Sequence, residues 1–187
     1  MPNWVKNHVS CDNGCLKEMY KKNDEGIVEF DFNVVLPMPK ELSETEVSYP
    51  ETVDNKKRYE ELVRKYGAGD WYHWRVKNWG TKWNAGEAFE HQDNYAEFDT
   101  AWSTPEPIIK AMSKKFGTKI RVRYADEDLG SNCGEYECTN GRLTYNKVFE
   151  GKTDEEVEKQ KFEFACDVWG FDPEEERAWR EEKECEN

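Results

Sequence analysis

Residues 71–84 read Trp-Tyr-His-Trp-Arg-Val-Lys-Asn-Trp-Gly-Thr-Lys-Trp-Asn and contain four of the eight tryptophans in the chain. Each aromatic ring buries on the order of 150–250 Å² when it packs in a protein, so this segment must pack against another surface. The pattern predicts a helix as far as Asn78 and a turn at Gly80. We therefore expect the fold to be organised around this segment, and the contacts of its rings to decide the function.

The composition favours a single acidic domain whose core is rich in aromatic rings. The chain has 187 residues and a net charge of −13, from 40 acidic and 27 basic residues. This deficit of positive charge disfavours direct nucleic-acid binding, which depends on neutralising phosphates with Lys and Arg. It permits the reverse, an acidic surface that steers towards a basic partner such as the nucleic-acid-binding face of another protein, although an acidic surface without a partner is the commoner outcome.

The sequence also indicates where the protein acts. No apolar run approaches the roughly 20 residues that a membrane helix needs, and the N-terminus lacks the pattern of a signal peptide. We therefore predict a cytoplasmic protein that does not contact a membrane. In that compartment its six cysteines are expected to be mostly reduced.

Alternation of apolar and polar residues predicts four strands, at 4–11, 28–34, 95–100 and 119–124. Helical spacing predicts a short helix after Asn13-Gly14, a helix capped by Asp54, and a helix capped by Ser103 that ends at Gly117. The polar residues 40–53 are expected to form a surface loop. The order β-α-β, insertion, β-α-β is typical of a ferredoxin-like sandwich, which has one antiparallel sheet with helices on one face.

The C-terminal part adds a hairpin and two helices. Asn140-Gly141 signals a type I′ turn within a hairpin over 133–149. A capping box at Thr153 opens a helix that ends at Gly170, and Asp172-Pro173 begins a last, acidic helix.

We therefore predict an α+β fold: a ferredoxin-like βαββαβ sandwich with a tryptophan-rich helical insertion and a C-terminal hairpin plus helices. The ferredoxin-like domain spans residues 1–150 with the insertion at about 37–90, and residues 151–187 form a helical extension packed on the same domain. In the usual strand order (fourth, first, third, second), the strand 119–124 lies at one edge of the sheet. The exposed face is then half basic and half acidic, which favours cross-strand ion pairs or a cover of C-terminal elements over nucleic-acid binding.

Four short motifs rich in tryptophan and proline lie across residues 1–105, namely Met1-Pro2-Asn3-Trp4, Leu36-Pro37-Met38-Pro39, Asn78-Trp79-Gly80-Thr81-Lys82-Trp83 and Thr100-Ala101-Trp102-Ser103-x-Pro105. In this order they resemble the YubB-like family of plasmid- and bacteriophage-encoded proteins, whose domain is ferredoxin-like and whose function is unassigned. The resemblance covers roughly residues 1–150. It implies a gene carried by mobile elements that acts inside a bacterial cell, and it implies no catalytic residues.

The residue types that commonly catalyse reactions or bind metals form no recognisable motif. Cys11 and Cys15 are four residues apart and Cys133 and Cys138 are five apart, which differs from the two-residue spacing typical of zinc knuckles. None of the three histidines has an acidic or nucleophilic partner at a recognisable spacing. We therefore predict no metal site, no cofactor and no catalytic residues.

One remote route to catalysis is an N-terminal proline. Removal of Met1 would leave Pro2 with a secondary amine at the head of a strand, the arrangement used by tautomerases. Such an amine needs a pKa lowered by desolvation or by nearby cations, and Lys6 and Arg123 could supply positive charge if their strands are neighbours. Proline is equally compatible with a purely structural role as the first residue of a strand.

We interpret the protein as a non-enzymatic accessory protein of a phage or plasmid that binds a host protein. Its most specific version is an inhibitor that occupies the basic groove of a nucleic-acid-binding defence complex such as a CRISPR effector. One predicted binding surface is the tryptophan cluster, formed by Trp71, Trp74, Arg75, Trp79, Lys82 and Trp83. The other is an acidic surface, formed by Asp126, Glu127, Asp128, Glu174, Glu175 and Glu176.

Two alternatives stay open at the level of sequence. The first is a ligand-binding or enzymatic domain with a pocket at the tryptophan cluster, where Arg75, Lys82 or His73 would orient an anionic ligand. The second is a nucleic-acid binder. The oligomeric state does not follow from the sequence.

Overall fold

The computed structural model of the protein describes residues 3–22, 25–47, 52–85 and 90–185. The strands are β1 (Trp4–Cys11), β2 (Tyr20–Lys22), β3 (Val28–Phe30), β4 (Glu90–His91), β5 (Tyr95–Ala101), β6 (Lys119–Asp126), β7 (Cys133–Thr139) and β8 (Arg142–Asn146). The α-helices are α1 (Lys40–Ser43), α2 (Val53–Tyr66), α3 (Trp71–Trp79), α4 (Glu106–Lys115), α5 (Asp154–Trp169) and α6 (Pro173–Cys185). None of the helices in these ranges is both long enough and apolar enough to span a membrane.

The main sheet has six strands in the order β4-β5-β1-β6-β7-β8, and every neighbouring pair is antiparallel. β1 lies between β5 and β6, so that Val5 pairs with Thr100 on one side and Asp126 on the other. Because β5 and β6 both run antiparallel to β1, they are parallel to each other, and α4 forms the crossover between them. This split β-α-β unit around β1 confirms the predicted α+β, ferredoxin-like class.

The predicted strand at 28–34 does not join the main sheet, so the predicted strand order is wrong at both edges. Val28–Phe30 pairs instead with Tyr20–Lys22 in a separate two-stranded sheet. The short strand β4 occupies the edge beside β5, and the hairpin of β7 and β8 extends the sheet beyond β6. β6 is therefore internal to the sheet rather than at its edge.

Local side-chain chemistry explains why the strand at 28–34 stops early. The Asp31 side chain accepts a hydrogen bond from the backbone N–H of Asn33 and caps a 3-10 turn. The rings of Phe30 and Phe32 lie 4.6 and 6.0 Å from the ring of Phe98 in β5, measured between centroids. The alternation therefore reflects the burial of both rings against the main sheet. It does not mean that the backbone of these residues pairs in that sheet.

The helices agree with the prediction better than their caps do. The N-cap of α2 is Thr52 rather than Asp54. Ser103, predicted to cap α4, instead donates a hydrogen bond from its hydroxyl to the carbonyl of Gly80. The short helix Lys40–Ser43 interrupts the segment predicted as a surface loop.

The core lies between α4 and the inner face of the main sheet. Ile108, Ile109 and Met112 of α4 are fully buried, as the helical spacing predicts. Burial of a side chain of this size typically contributes about 1.5–3 kcal/mol. The same core cluster includes Val9, Phe98, Ile120 and Val122 from the sheet and Trp79 from α3.

The other face of the main sheet is charged, and α5 covers part of it. Lys6 and Glu97 form an ion pair of 2.8 Å between neighbouring strands. Arg123 of β6 pairs with Asp167 of α5. The indole N–H of Trp169 in α5 donates to backbone carbonyls at the end of β6. The ion pairing and the C-terminal cover that we predict for this face are thus confirmed.

Asp99 is a destabilising group on this face. One of its carboxylate oxygens is buried and has no hydrogen-bond partner in the described part of the chain. Desolvation raises the pKa of the Asp99 carboxyl, and Lys6 opposes this effect only in part. A carboxyl whose pKa is raised on folding disfavours the native state while it is ionised. The cost is therefore present at neutral pH, shrinks as the pH falls below the raised pKa, and is gone once the pH lies below the ordinary pKa of an aspartate.

We expect Asp99→Asn to raise the free energy of unfolding at pH 7 by on the order of 1 kcal/mol, because the amide removes an ionised group that is poorly solvated. Urea denaturation at pH 7 and at acidic pH measures the gain, which should shrink as the parent carboxyl becomes protonated. Asp12→Asn, at an exposed aspartate, is the control and should change stability little. A clear loss of stability in Asp99→Asn at pH 7 would contradict this account.

Candidate interaction surface at the aromatic end of the sheet

The predicted tryptophan cluster divides into core and surface residues. Trp74 and Trp79 are buried, and their rings meet edge to face at a centroid distance of 5.9 Å. The indole N–H of Trp79 donates to the carbonyl of Leu36 over 2.8 Å, and its ring lies 5.7 Å from that of Phe32. These two tryptophans therefore hold α3 against the core.

Arg75 packs over the rings of the same helix. Its guanidinium carbon lies 5.1 Å from the ring centroid of Trp71 and 4.9 Å from that of Trp79, and its Nε donates to the Met38 sulfur over 3.3 Å. Desolvation lowers the pKa of Arg75. No carboxylate in the described ranges forms an ion pair with it. The rings of Trp71 and Trp79 and the Met38 thioether therefore hold the Arg75 guanidinium, which covers part of the Trp79 ring.

The turn after α3 is fastened to the end of β5. Gly80 ends the helix in the left-handed conformation, with φ of +81°. The buried hydroxyl of Thr81 then donates to the carbonyl of Ala101 over 2.8 Å. These contacts place Lys82 and Trp83 at one end of the main sheet.

Five residues form what we call the aromatic end: Trp4, Tyr72, Lys82, Trp83 and Trp102. The Lys82 ammonium lies 4.5 Å from the ring centroid of Trp83, 5.2 Å from that of Trp102 and 6.0 Å from that of Tyr72. The ring of Trp4 extends the group, 5.7 Å from that of Trp83. Lys82 forms no ion pair within the described residues, and three electron-rich rings lie near its ammonium group.

Trp102 has an unusual backbone conformation. Its φ is +68°, a region that bulky L residues rarely adopt. Its N–H donates to the carbonyl of Asn3 over 2.9 Å, and its carbonyl accepts a hydrogen bond of 3.1 Å from the Asn132 side chain. The residue is 43% exposed. A strained backbone that presents a large exposed ring is a feature that recurs at functional sites.

Part of the predicted acidic surface meets the aromatic end at Trp4. The Glu127 carboxylate accepts a hydrogen bond of 3.1 Å from the Trp4 N–H, and the Glu127 N–H donates to the Trp4 carbonyl over 2.9 Å. Glu127 and Asp128 are exposed. Asp126 is buried, with its carboxylate accepting a hydrogen bond from the Asp128 N–H. The assignment of Asp126 to an exposed surface is therefore wrong, and one carboxylate of this surface, that of Glu127, contacts the aromatic end.

The rest of the predicted acidic surface lies in the first turn of α6. Glu174 pairs with Arg177 at 3.1 Å, and Glu176 pairs with Arg180 at 2.9 Å. Glu175 is exposed. Carboxylates near a helix N-terminus also interact favourably with the helix dipole. This patch is therefore partly neutralised within its own helix.

The surroundings of Cys11, Cys15, His8 and His73 indicate structural roles for these residues. The buried sulfurs of Cys11 and Cys15 lie 3.6 Å apart, and desolvation raises the pKa of Cys15 to about 12, which keeps the thiol protonated. His73 Nδ1 lies 2.6 Å from a carboxylate oxygen of Asp70, the N-cap of α3, so the prediction that no histidine has an acidic partner is wrong for His73. Desolvation lowers the pKa of His8. In the described ranges, no three His, Cys, Asp or Glu side chains are grouped so as to hold a metal ion.

The pocket predicted among the tryptophans is filled where Trp74 and Trp79 interlock with the core. A cleft of about 380 Å³ lies elsewhere, between α1 and α2, with Glu41, Arg58 and other polar residues in its lining. Pro2, the other candidate for catalysis, lies outside the described residues.

Sequence reasoning did not assign Trp4, Tyr72 and Trp102 to a site. Trp4 and Trp102 could have been grouped from the pairing of β1 with β5, because this pairing brings Trp4 opposite Ala101 and hence beside Trp102. Tyr72 had no such signal, because its position depends on how α3 packs.

The two classes of tryptophan should differ sharply in their effect on stability. We expect Trp102→Gly to change the free energy of unfolding by less than about 1 kcal/mol, because glycine relieves the left-handed strain while the exposed ring contributes little packing. Trp79→Ala should cost roughly 3–5 kcal/mol, the usual cost of removing a buried indole. Urea denaturation of the two variants tests the contrast. Similar losses in both would show that the Trp102 ring is part of the core.

Comparison with known proteins identifies the family of the chain. No curated protein matches it. Among solved structures, it is similar to the crystal structure of the protein api92 from Yersinia pseudotuberculosis, with a TM-score of 0.45 and 8% identity over 82% of this chain and all of that one. The family described as the ferredoxin-like domain in Api92-like protein matches residues 78–172, slightly more than half of the chain. The chain therefore belongs to this family of ferredoxin-like domains.

Proposed function

We propose that this protein is a non-enzymatic accessory protein of a phage or plasmid, and that it binds a host protein in the bacterial cytoplasm. The observation that carries the proposal is the aromatic end, where the strained, exposed Trp102 projects beside Lys82 and Trp83. An exposed tryptophan that lies among partly buried rings is a typical anchor of a protein interface. The origin in a mobile element rests on the four motifs that resemble the YubB-like family.

Charge at the aromatic end favours a basic partner. The Glu127 carboxylate contacts Trp4 at the border of the rings, Asp128 is exposed one residue further on, and the whole chain carries a charge of −13. Ring faces attract cations, as the position of Lys82 among three rings illustrates. An arginine or lysine of a partner would find both a ring face and a carboxylate here.

The most specific version of the proposal is inhibition of a nucleic-acid-binding defence complex, such as a CRISPR effector, by occupation of its basic groove. The acidic first turn of α6 supports it, because Glu175 is exposed and lies among further carboxylates. Long-range attraction between such a surface and a basic groove speeds association and weakens with salt. Rings at the aromatic end would then provide the short-range contacts.

Affinity capture from a bacterial lysate tests the proposal with three matched proteins. The parent chain should retain one basic protein in stoichiometric amount. Trp102→Ala and Glu127→Lys should each reduce the retained amount at least tenfold, the loss expected for a central anchor. Glu61→Lys, which reverses the charge of an exposed glutamate on α2, is the control and should retain the partner.

Nucleic acid serves as the competitor in the same experiment. If the partner is held through its nucleic-acid-binding groove, adding its nucleic acid should release it from the parent chain. Retention of the partner by both Trp102→Ala and Glu127→Lys would contradict a role for the aromatic end. Retention in the presence of saturating nucleic acid would contradict the inhibitor version alone.

A second candidate is the binding of a small planar anion, such as a nucleotide, at the same place. The observation that favours it is the pairing of an exposed indole with an ammonium group, since Trp102 could stack on a base while Lys82 meets a phosphate. Titration with a mononucleotide should then quench the tryptophan fluorescence of the parent but not of Lys82→Met. Unchanged fluorescence in the parent would exclude this candidate.

A further inference from the structure

The Lys82 ammonium lies in an aromatic cage, which we define as the rings of Tyr72, Trp83 and Trp102. Its nitrogen lies 4.5 Å from the ring centroid of Trp83, 5.2 Å from that of Trp102 and 6.0 Å from that of Tyr72. The rings of Tyr72 and Trp102 are nearly perpendicular, at 87°, with their centroids 6.2 Å apart. Several rings gathered around one cation form the type of site that recognises quaternary ammonium groups.

The walls of the aromatic cage are held by contacts of the backbone. The Trp102 N–H donates to the Asn3 carbonyl over 2.9 Å, and the Trp102 carbonyl accepts a hydrogen bond of 3.1 Å from the Asn132 side chain. The buried hydroxyl of Thr81 bonds to the end of β5 and so fixes the chain just before Trp83. Because Trp102 is 43% exposed, the cage is open to solvent on that side and a ligand can reach it.

The Lys82 side chain is held in the cage only by the rings. It forms neither an ion pair nor a hydrogen bond with any residue in the ranges that the structure describes. A lysine ammonium is strongly hydrated and has three N–H donors, so it loses hydrogen bonds to water wherever rings surround it. Its four-carbon stem is flexible, so the ammonium can leave the cage without a movement of the backbone.

A second cation nearby shows how this chain holds a group with N–H donors against rings. The Arg75 guanidinium carbon lies 4.9 Å from the ring centroid of Trp79, and its Nε donates to the Met38 sulfur over 3.3 Å. That site therefore supplies an acceptor, whereas no acceptor in the described part of the chain bonds to the Lys82 ammonium. The cage suits a cation without N–H donors better than it suits a guanidinium or a primary ammonium.

We propose that the aromatic cage binds a trimethylammonium group of a partner protein, as on a trimethylated lysine, and that Lys82 occupies the cage until this group displaces it. A trimethylammonium is positively charged but has no N–H, so it loses no hydrogen bond when it enters a cage of rings. The Glu127 carboxylate contacts Trp4, whose ring lies 5.7 Å from that of Trp83, and adds negative charge at the border. This inference deepens the proposed function and rests on it for the protein source of the ligand.

Competition by Lys82 determines what its removal should do. A ligand binds only those molecules whose cage is free, so its apparent affinity falls in proportion to the free fraction. If Lys82 fills the cage in about nine of ten molecules, Lys82→Ala should tighten binding roughly tenfold. Lys82→Arg keeps a long cationic side chain at the same position and should bind no more tightly than the parent.

An NMR titration of the full chain with choline tests the cage. The eight tryptophans give separate indole N–H signals, and the signal of Trp102 is identified by its loss in Trp102→Ala. Choline should shift this signal in the parent and, at roughly tenfold lower concentration, in Lys82→Ala. The neutral analogue 3,3-dimethyl-1-butanol, in which carbon replaces the nitrogen of choline, should shift it in neither protein. Lys77→Ala removes an exposed lysine of α3, controls for the change in net charge, and should respond like the parent.

A pentapeptide with a central trimethyllysine distinguishes a protein side chain from a free small molecule as the source of the ligand. It should bind Lys82→Ala more tightly than choline does, and the same peptide with unmethylated lysine should bind less tightly. Equal affinities of the trimethylated peptide and choline would overturn the assignment to a protein side chain. Equal responses to choline and its neutral analogue, or no gain in Lys82→Ala over Lys77→Ala, would overturn the cage itself.

The failure of this inference can be told apart from the failure of the proposed function. If choline does not bind, but a captured partner is still lost in Trp102→Ala, the ammonium chemistry is wrong and the interface stands. The nucleotide candidate is separated as well, because it needs the Lys82 ammonium and predicts that Lys82→Ala loses its ligand.

Discussion

The burial of the Trp79 indole is the constraint on which the arrangement of the N-terminal half depends. Its ring packs against Phe32 and Trp74, its N–H bonds to the carbonyl of Leu36, and Arg75 lies over one face. These contacts fix α3, and α3 in turn fixes the turn that begins at Gly80. A β-carbon at Gly80 would come within 2.8 Å of a side-chain atom of Pro107, so the helix end can approach α4 this closely only with glycine. The core rings thus determine where the surface rings of the aromatic end lie.

Periodicity in the sequence was sufficient to find the strands β1, β5 and β6, because each buries one face and alternates cleanly. It failed at 28–34, since Phe30 and Phe32 alternate in the same way but bury their rings against Phe98 without pairing in its sheet. Alternation reports which side chains are buried, and it does not report which backbone completes the ladder. The capping box predicted at Thr153 is confirmed, whereas the cap of α2 was misplaced, because Thr52 and Asp54 lie close together and either side chain can accept a hydrogen bond at a helix start.

The site was only partly predictable for the same physical reason. Composition indicates that the tryptophans of residues 71–84 must be buried or bound, but it cannot tell that Trp79 lies in the core while Trp83 lies at the surface. That division depends on the contact between α3 and the sheet, which brings together residues far apart in sequence, such as Thr81 and Ala101. The carboxylates of the predicted acidic surface divide similarly: Asp126 is buried and accepts a hydrogen bond from the Asp128 N–H, whereas Glu174 and Glu176 are paired with arginines one helical turn away.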